Sequence, residues 1–138
     1  MPANTNPIFT LVPVVGWGTT ALATANTAKD GTGTVLTVGS AAGTNGTYYW
    51  KLRARPSGTA IATVLRIFIN NGSTNATPAN NILFDEFTLA ATTLSEVAAL
   101  AMYEIPLNIA LPSGYKWNCT VGTTVAAGYF MSVVGGDY

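Results

Sequence analysis

Short runs rich in β-branched and aromatic residues recur along this chain at roughly 8–15-residue spacing, each stopped by a turn signal. Asp30-Gly31, Asn45-Gly46, Pro56-Ser57-Gly58 and Pro112-Ser113-Gly114 offer the positive φ of glycine or the fixed φ of proline that tight reversals need. This is the pattern of an all-β sandwich or barrel. Eight candidate strands follow, at residues 17–24, 32–38, 47–55, 60–69, 82–90, 102–110, 115–121 and 126–134.

Two runs assign faces. In 47–55, Tyr48, Trp50, Leu52 and Ala54 alternate with Tyr49, Lys51, Arg53 and Arg55, so the first set is expected in the core and the second outside. In 60–69, Ile61, Thr63, Leu65, Ile67 and Ile69 form an apolar face, while Val64, Arg66 and Phe68 project oppositely, so both faces can be covered. Trp50 and Trp117 share strand faces with Leu52 and Cys119, which predicts core aromatics rather than a sugar-stacking platform.

The remaining segments differ in kind. Residues 1–16 hold three prolines, Pro2, Pro7 and Pro13, alternating with short apolar pieces such as Ile8-Phe9 and Leu11-Val12, and read as an extended N-terminal arm. Residues 70–81, NNGSTNATPANN, have no periodicity and form a long exposed loop. Thr93, with Glu96 three residues later and an Ala/Leu-rich tail, marks the one short helix expected, at 92–100. Two four-stranded sheets in Greek-key order accommodate the rest. The expected fold is a single-domain, eight-stranded antiparallel, jelly-roll-like sandwich over 17–138, preceded by the arm.

Charge narrows function. Of 138 residues only 9% are charged, six basic against six acidic, and the surface must rely on the hydroxyls and amides of 21 threonines and 11 asparagines. A neutral, apolar-leaning chain associates readily, so assembly is the first functional expectation. There is no basic footprint for nucleic acid. Without histidine, Ser-His-Asp and Cys-His mechanisms and histidine-ligated zinc are excluded. Cys119 is alone, so no internal disulfide or thiolate cluster forms. Glycine loops for phosphate and Asp-rich loops for calcium are absent from the sequence, and no cofactor is expected.

What chemistry remains belongs to carboxylates. Asp85 and Glu86 are strand neighbours and point to opposite faces. A hydrolase would need one of them opposite Glu104 across a cleft. The plainer expectation is that these acids pair across strands with Lys51, Arg53, Arg55 or Arg66. The ladder Lys51-Arg53-Arg55 could otherwise face an acidic partner surface.

Targeting signals give nothing positive. The uncharged stretch at residues 1–28 lacks a basic n-region and is broken by prolines, so it reads neither as a signal peptide nor as a membrane span. Residues 117–136 are too polar to insert. Sequons at Asn45, Asn71, Asn75 and Asn118 arise readily in so Thr- and Asn-rich a chain.

The eight-strand pattern, the NNGSTNATPANN loop, the turn Leu111-Pro112-Ser113-Gly114-Tyr115-Lys116 and the ending Val133-Val134-Gly135-Gly136-Asp137-Tyr138 resemble small jelly-roll-like head decoration (cement) proteins of tailed bacteriophages. The resemblance implies a non-enzymatic virion protein, made in the host cytoplasm and seated on the outer head. It also implies a symmetric homo-oligomer, a trimer, whose partner is the major capsid protein lattice. Partner contacts are expected from the arm residues Ile8, Phe9, Leu11 and Val12, from Lys51, Arg53 and Arg55, and from the loop residues Asn71 and Asn75. The alternative is a receptor- or glycan-binding head domain of a phage fibre or spike, suggested by the Asn/Thr-rich loop and the tryptophans.

Overall fold

A computed structural model describes residues 9–138, and Ile8 lies outside the described residues. Eight strands form: β1 (Val12–Trp17), β2 (Leu36–Val38), β3 (Thr47–Pro56), β4 (Thr63–Asn70), β5 (Asn81–Leu89), β6 (Tyr103–Leu111), β7 (Lys116–Val121) and β8 (Tyr129–Asp137). They make two antiparallel four-stranded sheets, ordered β1-β8-β3-β6 and β2-β7-β4-β5. The all-β, eight-strand sandwich expected from the sequence is therefore observed. β1 pairs with β8, β2 with β7, β3 with β6 and β4 with β5. The chain is thus one long hairpin, with β4 and β5 at its tip, rolled so that its paired arms alternate between the sheets.

The core lies between the sheets. Tyr49, Leu52 and Ala54 of β3 and Tyr129, Met131 and Val133 of β8 face Leu65 and Ile67 of β4 and Trp117, Cys119 and Val121 of β7. Trp117 receives Tyr49 edge-on from the opposite sheet and Phe84 from its own, with ring centroids 5.8 and 5.1 Å away. Such edge-to-face pairs add about 0.5–1.5 kcal/mol each beyond the area they bury.

Against β8, an irregularity between Tyr49 and Lys51 makes Trp50 an extra residue in β3 and changes the alternation there, while against β6 the extra residue lies in β6, between Pro106 and Ile109. Tyr49, expected outside, is buried, and Trp50, expected in the core, is exposed. Leu52 and Ala54 keep their inward places, and Arg53 and Arg55 their outward ones. Opposite the bulge stands Gly135, where a Cβ would collide with the Tyr48 carbonyl oxygen. A second irregularity makes Phe84 the extra residue in β5, and its ring packs on Trp117.

Two expected elements differ. The first strand is not at 17–24 but at β1, within the segment read as an arm. Val12 pairs with Asp137, and the Leu11 N–H donates to the Asp137 carbonyl at 2.7 Å. Pro13 is tolerated because β1 is an edge strand with only β8 beside it. Residues 18–35 instead form an irregular connection touching the sheets through the bridges Leu22–Tyr129 and Ala25–Val121.

No helix forms at 92–100. Thr92 and Ala60 exchange backbone hydrogen bonds of 2.8 and 2.9 Å, and Thr59 Oγ1 takes the Leu94 N–H at 3.0 Å. These bonds hold the start of the segment extended, and a nine-residue helix without a buried face is too short to outweigh them.

Candidate functional site

The outer faces of the two sheets are unlike. On the β2-β7-β4-β5 sheet, Phe68, Asn118 and Thr120 are buried, Thr37 Oγ1 donates to Asn118 Oδ1 at 2.7 Å, and Arg66 Nε meets Glu86 at 2.7 Å. That face is closed by its own chain, in accord with both faces of β4 being covered.

The β1-β8-β3-β6 sheet turns a mixed apolar and cationic face to solvent. Register aligns Trp17, Ser132, Arg53 and Glu104 in one row, and Val15, Val134, Lys51 and Pro106 in the next. Arg55 sits beside Phe130. Trp17 is 66% exposed, Val15 65% and Phe130 61%, well beyond what scattered surface apolar residues usually present together.

Lys51 and Arg53 share one carboxylate: Lys51 Nζ lies 3.1 Å and Arg53 Nη2 2.7 Å from Glu104. Hydrogen bonding from Lys51, and then from Arg53, lowers the Glu104 pKa below the ordinary glutamate value. Arg55 has no ion pair among the described residues. Three cations against one carboxylate leave this face two positive charges in a chain whose formal net charge is zero.

A groove of about 330 Å³ opens on this face between Trp17, Phe130 and Met102, with Arg53, Arg55 and Ser132 in its lining. Arg53 Nε is buried there without a hydrogen-bond partner among the described residues. Apolar walls around two guanidinium groups suit a ligand carrying an anion next to hydrocarbon. No family model, curated protein or solved structure matches this chain. The arrangement of the side chains is therefore the basis for a functional reading.

Among the other residues expected at contacts, Phe9, Leu11 and Val12 are exposed beside or at the start of β1, the edge strand of this sheet. Asn71 and Asn75 are occupied elsewhere. Asn75 Nδ2 donates to the Gly33 and Gly31 carbonyls at 2.8 and 3.2 Å, tying the 70–81 loop to the 26–34 segment. Asn71 Nδ2 donates to Asn80 Oδ1 at 3.2 Å. The asparagines build the loop instead of presenting free amides.

The carboxylates do not converge. Glu86 is bound to Arg66 on one sheet and Glu104 to Lys51 and Arg53 on the outer face of the other, so the acid pair considered for hydrolysis is not assembled. Among the described residues, no three His, Cys, Asp or Glu side chains gather as metal ligands. Cys119 is buried and free, and burial raises its thiol pKa.

Sequence reasoning missed Val15, Trp17, Met102 and Phe130 as site residues. The Phe130 signal was present: if Tyr129, Met131 and Val133 face the core, Phe130 must face out. The unbroken apolar run 129–131 conceals which phase holds. Trp17 could not be placed without the position of β1.

Proposed function

We propose that this chain is a non-catalytic assembly module that docks on protein through the outer face of its β1-β8-β3-β6 sheet. The observation carrying this reading is the co-planar set Val15, Trp17 and Phe130 around the cationic ladder Lys51-Arg53-Arg55. Covering each of these two-thirds-exposed apolar side chains is worth about 1–2 kcal/mol. The excess positive charge selects an acidic counter-surface and speeds encounter.

Within this class, the resemblance in the sequence favours a capsid decoration (cement) protein on the outer head of a tailed bacteriophage, acting as a symmetric homotrimer. The rolled-hairpin order, which is the wrapping of a jelly roll, supports that reading because viral capsid domains use it. Co-sedimentation of the purified chain with head shells encoded in the same genome tests it. Binding lost in Trp17→Ser/Phe130→Ser with the fold intact is the expected result, and no binding by the unaltered chain would reject the virion reading.

A second reading rests on a different observation. Trp17 and Trp50 are both exposed, which a glycan-binding head of a fibre or spike would use for sugar stacking. A glycan array probed with the intact assembly separates the two, since decoration of a shell requires no sugar signal.

A further inference from the structure

Five of the six carboxylates are spent inside the chain. Glu104 holds Lys51 and Arg53, and Glu86 holds Arg66. Asp137 accepts from the Thr47 hydroxyl, Asp30 from the backbone and hydroxyl of Thr32, and Asp85 from the Glu86 N–H. Glu96 alone has no side-chain partner among the described residues. Its neighbours are equally unsatisfied: Val97 is 98% exposed and Leu94 51%.

This segment is the connection between β5 and β6, held at its start through Thr92 to Ala60 and through the Leu94 N–H to Thr59, and re-entering the sheet at Tyr103. Beyond that it carries an anion between two apolar side chains into solvent. The groove on the β1-β8-β3-β6 face is its complement, an unpaired Arg55 between the apolar walls Trp17, Phe130 and Met102. Lys29 and Lys116 are also without ion pairs among the described residues, but neither lines this groove.

We infer that the 93–100 segment of one copy inserts into this groove on a second copy, with Glu96 pairing to Arg55 and Leu94 and Val97 covering Trp17 and Phe130. Each copy gives one segment and receives one, and the contact is proposed to close as a ring or a reciprocal pair. The groove is then completed by a residue that only the neighbouring copy supplies. Within the neighbour's apolar walls the Glu96–Arg55 attraction is less screened, offset in part by lost hydration, so the pair chiefly fixes which surfaces meet and makes a like-charge reversal costly. The inference rests on this face being a docking surface and makes its protein partner a second copy, so that a shell would be met by the assembled oligomer through its remaining surface; it does not rest on a virion setting.

Charge reversal tests it by sedimentation mass. The unaltered full chain should run as a closed oligomer at micromolar concentration. Glu96→Arg and Arg55→Glu, each at an exposed position, should keep the far-ultraviolet circular dichroism of the folded sandwich yet raise the concentration of half-dissociation by about a hundredfold. The double variant Glu96→Arg/Arg55→Glu should restore the oligomer. A monomeric unaltered chain overturns the inference, as do single variants that keep the oligomer or a double variant that fails to recover it. A monomer that still sediments with head shells would remove this contact and leave the decoration reading standing. An oligomer without shell affinity would do the reverse.

Discussion

Tyr49 and Trp117, from opposite sheets, meet at 89° with ring centroids 5.8 Å apart, and both side chains are almost wholly buried. This contact joins the two layers next to the point where the β3 register against β8 shifts, with Tyr49 turned inward. Trp117→Ala should therefore cost about 3–5 kcal/mol, a large share of the stability of a domain this size. Urea unfolding monitored by far-ultraviolet circular dichroism measures it. A loss below 1 kcal/mol would show that the layers are held elsewhere.

Two glycines separate crowding from backbone strain. Gly135→Ala drives a Cβ into the Tyr48 carbonyl and should break the β3–β8 pairing, with severe loss of folded yield. Gly114 instead has a positive φ, of 82°, with open space around it, so Gly114→Ala meets only the conformational penalty, about 1–2 kcal/mol. Comparing thermal midpoints decides the order, and equal effects would contradict the close approach at Gly135.

Acid should weaken the Lys51–Glu104–Arg53 group. The folded-state pKa of Glu104 is depressed, so its contribution is full above the ordinary glutamate pKa and is lost as pH falls through the lower, folded value. Carbon-detected NMR titration of Glu104 should give a midpoint below that of a free glutamate. Lys51 donates to both carboxylate oxygens, at 3.1 and 3.2 Å, so Lys51→Met should raise the midpoint more than Arg53→Gln. A midpoint unmoved by both substitutions rules out the pairing in solution.

The thiol of Cys119 should be silent in the folded chain. Its burial disfavours the reactive thiolate, and access requires opening of the sandwich. Labelling by a thiol-specific disulfide reagent at pH 8 should be negligible without denaturant and rise along the urea transition. Rapid native labelling would place Cys119 outside the core.

Asn75→Ala should loosen the 70–81 loop from the 26–34 segment, because its two carbonyl partners, Gly31 and Gly33, lose their donor. A cost of about 1–2 kcal/mol is expected. Hydrogen exchange should quicken in both segments while β7 and β8 stay protected. Faster exchange in the 70–81 loop alone would mean that Asn75 does not tie the two together.

β3 to β8 were legible as strands because β-branched and aromatic residues fill them and because Asn-Gly, Pro-Ser-Gly and similar turn signals separate most of them. β1 was not, since Pro13 and Gly16 break the β pattern and only the edge position, invisible in one dimension, makes them acceptable. The helix expected from Thr93 and Glu96 lost to tertiary bonds from Ala60 and Thr59. At the site, the cations Arg53 and Arg55 could be assigned to the outer face, but the aromatics around them could not. A single inserted residue at Trp50 inverts the local phase, and β1 supplies Trp17 from a segment that reads as an arm.

The position of β8 sets a timetable for biosynthesis. It lies between β1 and β3, so the first strand made has no place in its sheet until residues 129–137 have been translated. The β4–β5 tip can pair early, and the outer pairs must close progressively longer loops. Until the ribosome has delivered β8, the apolar β1 edge remains unpaired, and a premature stop in the last strand would release a chain with half its sandwich open to aggregation.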